Sequence, residues 1–383
     1  MHRYLLLILV FSLLFTLCAP AFSEGSFVVD DGEDTPDPNR QARAMMQRMT
    51  DTEKIYQLFF VAPEDLTGEE RTVSLPPENV LKEKPVGGVM IFGQNIESAD
   101  QLLSLTADLN RFAAQARLYP LFIGVDEEGG LVSRVANKLG YPLAKGPNEL
   151  GATGDEEAAL AAGRQIADYL RPLGVNMTFS PPLDTMPDQD NPGVQSFGED
   201  PQLVYRLASF MAQGLREGGV LPCFTHFPGH GAKEGTTSAN ISIKRTLDEM
   251  RAQEWVPFQI AIDNGAEMIL VSHGRVRVMG DDMPASCSSI MIDAILRNQM
   301  GFQGVVVTDS LRMRAVTSYY KTGQECVAAL KAGADILLLP PDLEKAVSAI
   351  QRALASGEIT MERVEESVQR ILAVKIRMSM IQD

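Results

Sequence analysis

Histidines and aspartates stand where short apolar runs end in this 383-residue chain. Carboxylates and imidazoles at such positions can act as nucleophiles, transfer protons or bind hydroxyl groups. The chain has no basic cluster beside them, and such a pocket suits a neutral polyhydroxylated ligand better than a phosphate. The residues that follow the ends of these runs are Asp126, Asp184, His226, His230, His273 and Asp309.

A metal site is the alternative interpretation of two of these histidines. His226 and His230 are four residues apart, a spacing that on a helix directs both rings to one side, as zinc sites require. However, Pro228 and Gly229 lie between them and disfavour a helix, and the glutamate of an H-E-x-x-H motif is missing. We therefore expect neither a metal nor another cofactor.

The elements that must position these side chains follow a regular rhythm. Eight short apolar runs alternate with helical patterns, which is typical of a parallel sheet covered on both faces. We predict a single-domain TIM-type (β/α)8 barrel, in which active sites lie at the carboxyl ends of the strands. A doubly wound open sheet is the rival, although no G-x-G-x-x-G motif follows the first strands. The runs are residues 58–62, 88–92, 121–126, 175–179, 221–225, 268–272, 304–308 and 335–339.

The first 40 residues differ from the rest of the chain. Arg3, a long apolar stretch and small residues near Ala21 predict a signal peptide at residues 1–23, with an uncleaved membrane anchor as the alternative. Residues 24–40 are acidic and rich in proline, which predicts a disordered spacer. We expect residues 41–383 to form the barrel, secreted or associated with the cell envelope and without a membrane segment after cleavage.

Charge and cysteine content exclude several classes of protein. The net charge is −16 without a basic patch, so binding to nucleic acid is not expected. Beyond the signal peptide the chain keeps Cys223, Cys287 and Cys326, too few and too widely spaced for a disulfide framework. We expect these to be small buried side chains of a large core, and the protein to be a monomer.

Several motifs in order, over most of the chain, resemble glycoside hydrolase family 3, particularly its single-domain β-N-acetylhexosaminidases. They include VDEEGGLVSR, GVNMTFSPPLD, SFGEDP, THFPGHG and GFQGVVVTDSLRM. The resemblance implies retaining hydrolysis of a carbohydrate, with Asp309 as the nucleophile. It also implies that Asp126 binds sugar hydroxyls and that His226 orients the ring. Peptidoglycan fragments are a natural substrate by this analogy.

The chain departs from the family pattern where a proton donor is expected. The family's acid/base Asp-Ser-His is replaced by Thr236-Thr237-Ser238, leaving Glu234 as the acidic side chain of the loop and a candidate substitute acid. Thr225 stands at a family lysine, and Gln195 and Leu131 stand at family arginines. A catalytically impaired relative that binds sugar or muropeptides is therefore the alternative function. We expect Asp184, His226, His230 and His273 to line the substrate site with Asp126.

Overall fold

The computed structural model describes residues 37–76, 79–186, 195–229, 242–243, 245–280 and 282–378. The chain divides into Met1–Pro36 and Asp37–Asp383, and the first unit lies outside the described residues. The predicted signal peptide and most of the predicted spacer therefore lie outside them as well. The predicted site residues His230 and Glu234 also lie outside them. So do Thr236, Thr237 and Ser238, which stand where the family has its acid/base Asp-Ser-His.

The structured part begins earlier than the sequence predicts. Helix α1 spans Pro38–Met46, so its first turn falls inside the predicted spacer of residues 24–40. The Asp37 side chain caps the helix by accepting a hydrogen bond from the Asn39 amide, and Pro38 occupies the first helical position. Proline is favoured there because its missing N–H has no partner in the helix. The predicted boundary at residue 40 is therefore too late.

The strands coincide with the predicted apolar runs. Every run contains β structure, and one short hairpin is added directly after the third run. The hairpin was not predicted, because its sequence EEGGLVS has no apolar alternation. The strands are β1 (Phe59–Val61), β2 (Gly88–Met90), β3 (Phe122–Val125), β4 (Glu127–Gly129), β5 (Val132–Ser133), β6 (Met177–Thr178), β7 (Leu221–Pro222), β8 (Phe224–Phe227), β9 (Met268–Val271), β10 (Val305–Thr308) and β11 (Leu337–Leu338).

Parallel pairing confirms the α/β class. One sheet has the order β11-β1-β2-β3-β6-β7, and a second has the order β10-β9-β8. Isolated parallel bridges link Val307 to Ile336 and Pro182 to Thr225. The strands are two to four residues long, and β7 and β8 are separated at Cys223, whose amide donates to the carbonyls of Thr178 and Ser180. Among the described residues the parallel ladders thus form two sheets and no closed ring, and the antiparallel β4-β5 hairpin is a third, separate sheet.

Helices alternate with the strands as the pattern predicts. The segment from Thr246 to Gly265 forms two helices, because Pro257 lacks an amide hydrogen and is tolerated only in the first turn of a helix. The other α-helices are α2 (Asp51–Gln57), α3 (Pro63–Thr67), α4 (Val80–Glu83), α5 (Ala99–Gln115), α6 (Arg134–Leu139), α7 (Pro147–Thr153), α8 (Glu156–Leu170), α9 (Pro201–Glu217), α10 (Leu247–Ala252), α11 (Trp255–Asp263), α12 (Arg314–Thr317), α13 (Gln324–Ala332), α14 (Leu343–Ser356) and α15 (Met361–Arg377), with a π-helix at Ile290–Gln299.

An aromatic cluster fills the space between the first strands. The Phe60 ring stacks on Phe122 with centroids 6.4 Å apart and meets the edge of Phe179 at 5.8 Å. A Cβ at Gly88 or Gly124 would lie 2.8 Å or 3.0 Å from the Phe60 ring, so both glycines are required for this packing. Strands β2 and β3 are thereby held close together, which fixes the residues at their carboxyl ends.

The three described cysteines are free and buried, as predicted for Cys223, Cys287 and Cys326. Within the ranges that the structure describes, no helix combines the length and apolar character needed to cross a bilayer.

Candidate active site

Five of the predicted site residues are described, and electrostatic contacts link them into one site. Asp126 follows β3, His226 lies in β8, and Asp309 follows β10. The charge of Asp309 acts on the pKa values of Asp126, His226 and His273. Because the carboxyl ends of parallel strands meet on one rim, the sequence prediction that these groups converge is consistent with the geometry.

Asp309 is held in place from two directions. Its backbone amide donates to the Val271 carbonyl of the neighbouring strand β9 at 2.8 Å. Its Oδ1 accepts a hydrogen bond from the Ser310 amide at 2.6 Å. No other hydrogen bond reaches the carboxylate within the described part of the chain. The arrangement fixes a partly exposed carboxylate without neutralising it, which suits a nucleophile.

His273 holds the backbone next to Asp309 through its hydrogen bond to Ser310. Its Nδ1 lies 2.7 Å from Ser286 Oγ, and its Nε2 lies 2.8 Å from the Ser310 carbonyl oxygen. A carbonyl can only accept, so Nε2 donates and Nδ1 accepts from the serine hydroxyl. Burial lowers the pKa of His273, which keeps the ring neutral at pH 7. Both ring nitrogens are thus used by protein partners that position the backbone beside Asp309.

Asp184 and His226 form a hydrogen-bonded pair. Asp184 is fully buried and its Oδ2 lies 2.8 Å from His226 Nδ1, while 24% of the His226 side chain is exposed. Burial opposes charging the ring, but the carboxylates of Asp184, Asp309 and Glu128 outweigh it and raise the pKa of His226 to about 9. The ring is therefore an imidazolium at neutral pH, and Asp184 sets its orientation.

Asp126 occupies the rim beside the nucleophile. Its side chain is 31% exposed, and its Oδ2 lies 3.9 Å from Arg134 Nη2. Burial and the nearby Asp309 raise the pKa of Asp126, with Arg134 and His226 opposing the rise. A carboxylate that is partly exposed and weakly paired can accept hydrogen bonds from a bound ligand.

The hairpin after β3 contains two glutamates with different environments. Glu127 is fully buried and accepts hydrogen bonds from Tyr169 Oη at 2.7 Å, the Val135 amide at 2.7 Å and the Ala136 amide at 3.1 Å. It therefore caps the N-terminus of α6 and has a structural role. Sequence reasoning named neither Glu127 nor Glu128.

Glu128 is the residue that the sequence analysis missed. Its Oε2 lies 3.4 Å from Gln195 Nε2, a long contact with a neutral amide. Burial raises the pKa of Glu128 to about 7, with Asp126 and Asp184 adding to the rise and His226 opposing it. The sequence offered no signal for it, because the hairpin sequence EEGGLVS has no apolar alternation.

An ion pair anchors the chain that follows the undescribed residues 230–241. Glu254 is fully buried with Oε1 2.5 Å from Arg245 Nε, and burial raises the pKa of Glu254 to about 7 despite this cation. Gly229 has φ +101°, and a Cβ there would lie 2.6 Å from Glu254 Cγ. Only glycine fits both the backbone conformation and this close approach.

Metal ligation is not supported by the described residues, because no three His, Cys, Asp or Glu side chains among them are placed to hold an ion together.

Comparison with known proteins places this geometry in a family. The sequence model described as Glycosyl hydrolase family 3 N terminal domain matches residues 50–374. Beta-hexosaminidase A of Pseudoalteromonas piscicida is 29% identical over 335 residues, which cover 80% of this chain and 56% of that protein. An uncharacterized secreted glycosyl hydrolase of Arthroderma benhamiae is 33% identical, with 79% of this chain and 89% of that protein covered.

A solved structure agrees with the sequence matches. The family 3 β-N-acetylglucosaminidase from Paenibacillus sp. str. FPU-7 superposes with a TM-score of 0.80 at 33% identity, covering 88% of this chain and 64% of that one. This chain thus spans somewhat over half the length of two of these three relatives. Since the family match extends over nearly the whole described fold and includes every described rim residue, the chain belongs to glycosyl hydrolase family 3.

Proposed function

We propose that this chain is an exported glycoside hydrolase of the β-N-acetylhexosaminidase type that retains configuration through Asp309. The observation that carries the proposal is the fixation of the Asp309 carboxylate by the Ser310 amide at the end of β10, beside Asp126 and His226. A retaining enzyme needs such a carboxylate beneath the anomeric carbon to form a covalent glycosyl intermediate. The hexosaminidase relatives support the substrate class.

The other rim residues receive distinct proposed roles. Asp126 accepts hydrogen bonds from sugar hydroxyls, and the His226 imidazolium donates to the sugar. Asp184 acts through His226 by holding the ring, because its own side chain is fully buried. His273 positions the Ser310 backbone, since both its ring nitrogens have protein partners. His230 completes the predicted substrate site from outside the described residues.

The acid/base group is proposed to come from the loop that follows Gly229. Glu234 is the acidic residue of that loop in the sequence and our candidate for protonating the leaving oxygen. Hydroxyl groups such as those of Thr236 and Ser238 cannot supply a proton to a leaving alkoxide near neutral pH. Substrates with activated aryl leaving groups need little protonation, so they test Asp309 without depending on this assignment.

We further propose that the eight main strands close into a barrel. The pairing of β11 with β1 and the bridge from Val307 in β10 to Ile336, just before β11, support closure between the last strands and the first strand. On the other side only Cys223 separates β7 from β8. A closed barrel would bring Asp126 and Asp309 onto one ring-shaped rim, as the proposed mechanism requires.

Export is proposed from the N-terminal sequence. The apolar stretch before Ala21 has the order of a signal peptide, the spacer and the barrel domain follow it, and one relative is described as secreted. Fractionation of cells expressing the full chain, with mass determination of the mature N-terminus, tests this. A product that keeps residues 1–23 in the membrane would show an anchor instead.

The test of the catalytic proposal is hydrolysis of an aryl β-N-acetylglucosaminide, with an aryl β-glucoside beside it. Wild type should release the aryl group, Asp309→Asn should not, and a 2-fluoro aryl glycoside should label a peptide that contains Asp309. A Glu234→Gln variant should slow hydrolysis of substrates with poor leaving groups more than that of activated ones. Unlabelled Asp309 together with equal rates for wild type and Asp309→Asn would contradict the proposal.

The second candidate function is a sugar-binding relative with impaired turnover. The replacement of the family acid/base by Thr236-Thr237-Ser238 favours it. Calorimetry with N-acetylglucosamine and muropeptide fragments separates the two functions when read beside the hydrolysis assay. Tight binding without hydrolysis of either aryl glycoside would support the binding protein.

A further inference from the structure

Two rim histidines have chemically different partners on the same ring nitrogen. His226 Nδ1 lies 2.8 Å from the Asp184 carboxylate, whereas His273 Nδ1 lies 2.7 Å from the Ser286 hydroxyl. A carboxylate can only accept a hydrogen bond, so it requires a proton on Nδ1, while a hydroxyl can donate to an Nδ1 that has none. The partner thus holds a proton on Nδ1 of His226 and allows His273 to keep Nδ1 unprotonated.

The Ser286 hydroxyl is held in position by the backbone around His273. Ser286 lies in a short 3-10 helix, its amide donates to the Ser272 carbonyl at 3.1 Å, and the Ala285 amide donates to the Gly274 carbonyl at 3.2 Å. Since Ser272 and Gly274 flank His273, the hydroxyl and the ring are fixed by the same stretch of chain. Ser286 is completely buried, so bulk water does not compete for Nδ1.

From His273 the hydrogen bonds continue to the proposed nucleophile. His273 Nε2 donates to the Ser310 carbonyl at 2.8 Å, and the Ser310 amide donates to Asp309 Oδ1 at 2.6 Å. Ser310 is therefore held on both sides of its Cα. Among the described residues Oδ1 accepts a hydrogen bond and Oδ2 accepts none, which leaves Oδ2 as the oxygen that attacks an anomeric carbon.

We infer that Ser286 is a positioning residue for the proposed hydrolysis: its hydroxyl donates to His273 Nδ1 and holds the ring in the neutral, Nε2-protonated form that orients Ser310 beside Asp309. The inference rests on the proposed function and adds to it a residue that acts on the nucleophile without touching the substrate. A positive charge on His273 would stabilise the Asp309 anion and lower its nucleophilicity, so the neutral ring favours attack.

Three substitutions of Ser286 separate the effects of the hydroxyl. Ser286→Ala leaves Nδ1 of His273 as a buried acceptor without a partner, so the ring loses one of the two contacts that fix it. Ser286→Asp provides the kind of partner that His226 has and should convert His273 to an imidazolium. Ser286→Thr keeps a hydroxyl and should keep the neutral ring.

The experiment combines hydrolysis of an activated aryl β-N-acetylglucosaminide with 15N NMR of the histidine rings, which distinguishes a protonated from an unprotonated Nδ1. At pH 7 wild type should show His273 neutral and protonated on Nε2. Ser286→Ala should lower kcat by about tenfold, the factor expected for one hydrogen bond, with KM within about twofold. Ser286→Asp should lower kcat further, and Ser286→Thr should restore most of it.

Ser367→Ala is the matched control. It also removes a fully buried serine hydroxyl, one that donates to the Asp335 carboxylate at 2.7 Å. This variant should lose stability but keep kcat and the His273 NMR signals of wild type, because no contact of Ser367 leads to Asp309.

The inference is overturned if Ser286→Ala, shown by thermal melting to be folded, keeps the wild-type kcat, or if Ser367→Ala lowers kcat equally. Ser286→Ala and Ser286→Thr carry this test even where the aspartate variant does not fold. If wild type hydrolyses no aryl glycoside, the proposed function fails and NMR decides the inference separately. A neutral, Nε2-protonated His273 that changes in Ser286→Asp supports it, and an Nδ1-protonated ring in wild type contradicts it.

Discussion

The buried carboxylate of Asp335 and the carboxylates of the rim lie at opposite ends of the strands β10 and β11, and nearby cations balance them to different degrees. Before β11, Asp335 accepts hydrogen bonds from the Val306 amide at 2.9 Å and from Ser367 at 2.7 Å, and it pairs with three arginines. Burial opposes ionisation of Asp335, but Arg297, Arg370 and Arg363 outweigh it and lower its pKa.

Among the described residues, the rim at the other end has few cations for its carboxylates. There, burial raises the pKa of Asp126 and of Glu128. The comparison shows that this fold can fully neutralise a buried aspartate, and does so where no ligand is expected. Carboxylates with raised pKa values and incomplete pairing are typical of functional sites, because they are arranged for a ligand instead of for stability.

The variant Asp309→Asn is the strongest test of whether the rim carboxylates serve activity and not stability. We expect kcat/KM on an activated aryl glycoside to fall by about 10³-fold or more, because the amide cannot attack the anomeric carbon. The free energy of unfolding should change by less than about 1 kcal/mol, since Ser310 can still donate to the amide oxygen. Steady-state kinetics and urea unfolding measure the two effects, and a stability loss that matches the activity loss would contradict the assigned role.

The converse behaviour is expected of Asp335→Asn. Removing the carboxylate leaves three arginines facing one another, so the free energy of unfolding should fall by about 3 kcal/mol, as for other broken buried ion pairs. The folded fraction should keep its KM. Asp108→Asn is a control of the same chemistry, because the Arg111–Asp108 pair is 52% and 29% exposed and should contribute less than about 1 kcal/mol.

Asp184→Asn tests the coupling within the rim. The carboxylate of Asp184 is the largest influence that raises the pKa of His226 to about 9, so the variant should let that pKa fall toward the ordinary value of about 6.5. An NMR titration of the imidazole measures it directly. Activity should then decline between pH 7 and pH 9, where the wild-type ring is still charged. An unchanged His226 titration would show that Asp184 does not control this ring.

The smallest effect is expected on the stability of Glu128→Gln. Because burial raises the pKa of Glu128 to about 7, its destabilisation of the folded state is absent below about pH 4.5 and complete above about pH 7. The variant should therefore be more stable than wild type at pH 8, by about 1–2 kcal/mol, with no gain at pH 4. Urea unfolding at both pH values decides this, and an equal gain at both would exclude a charge effect.

The sequence predicted the positions of the main strands because continuous apolar runs are required of strands buried on both faces. The same runs located Asp126 and Asp309, since a side chain at the end of a parallel strand must lie on the rim. It could not separate Asp184 and His273 from ligand-contacting residues, because their partners are defined only by the packed structure. Asp184 pairs with His226, and His273 is held by Ser286 and Ser310.

Two misses have local physical causes. Glu127 and Glu128 are identical and adjacent, so only the hairpin, which shows no apolar alternation, distinguishes the structural side chain from the one facing the site. The start of α1 was missed because acidic and proline-rich composition indicates disorder, whereas Asp37 and Pro38 provide a helix cap. Composition describes a whole segment, while a cap depends on a single residue.

The close approach of Gly229 to Glu254 has a consequence for how this scaffold can acquire new chemistry. Strand β8 ends at Phe227, and the chain is fastened again at the Arg245–Glu254 pair. Between these two anchors, Ser242 pairs with Arg275 and the Ile243 amide donates to the Arg275 carbonyl, so the chain is already held again at Ser242. A segment bearing the Asp-Ser-His sequence, grafted between Gly229 and Ser242, is then a practical route to a different proton donor on an unchanged nucleophile.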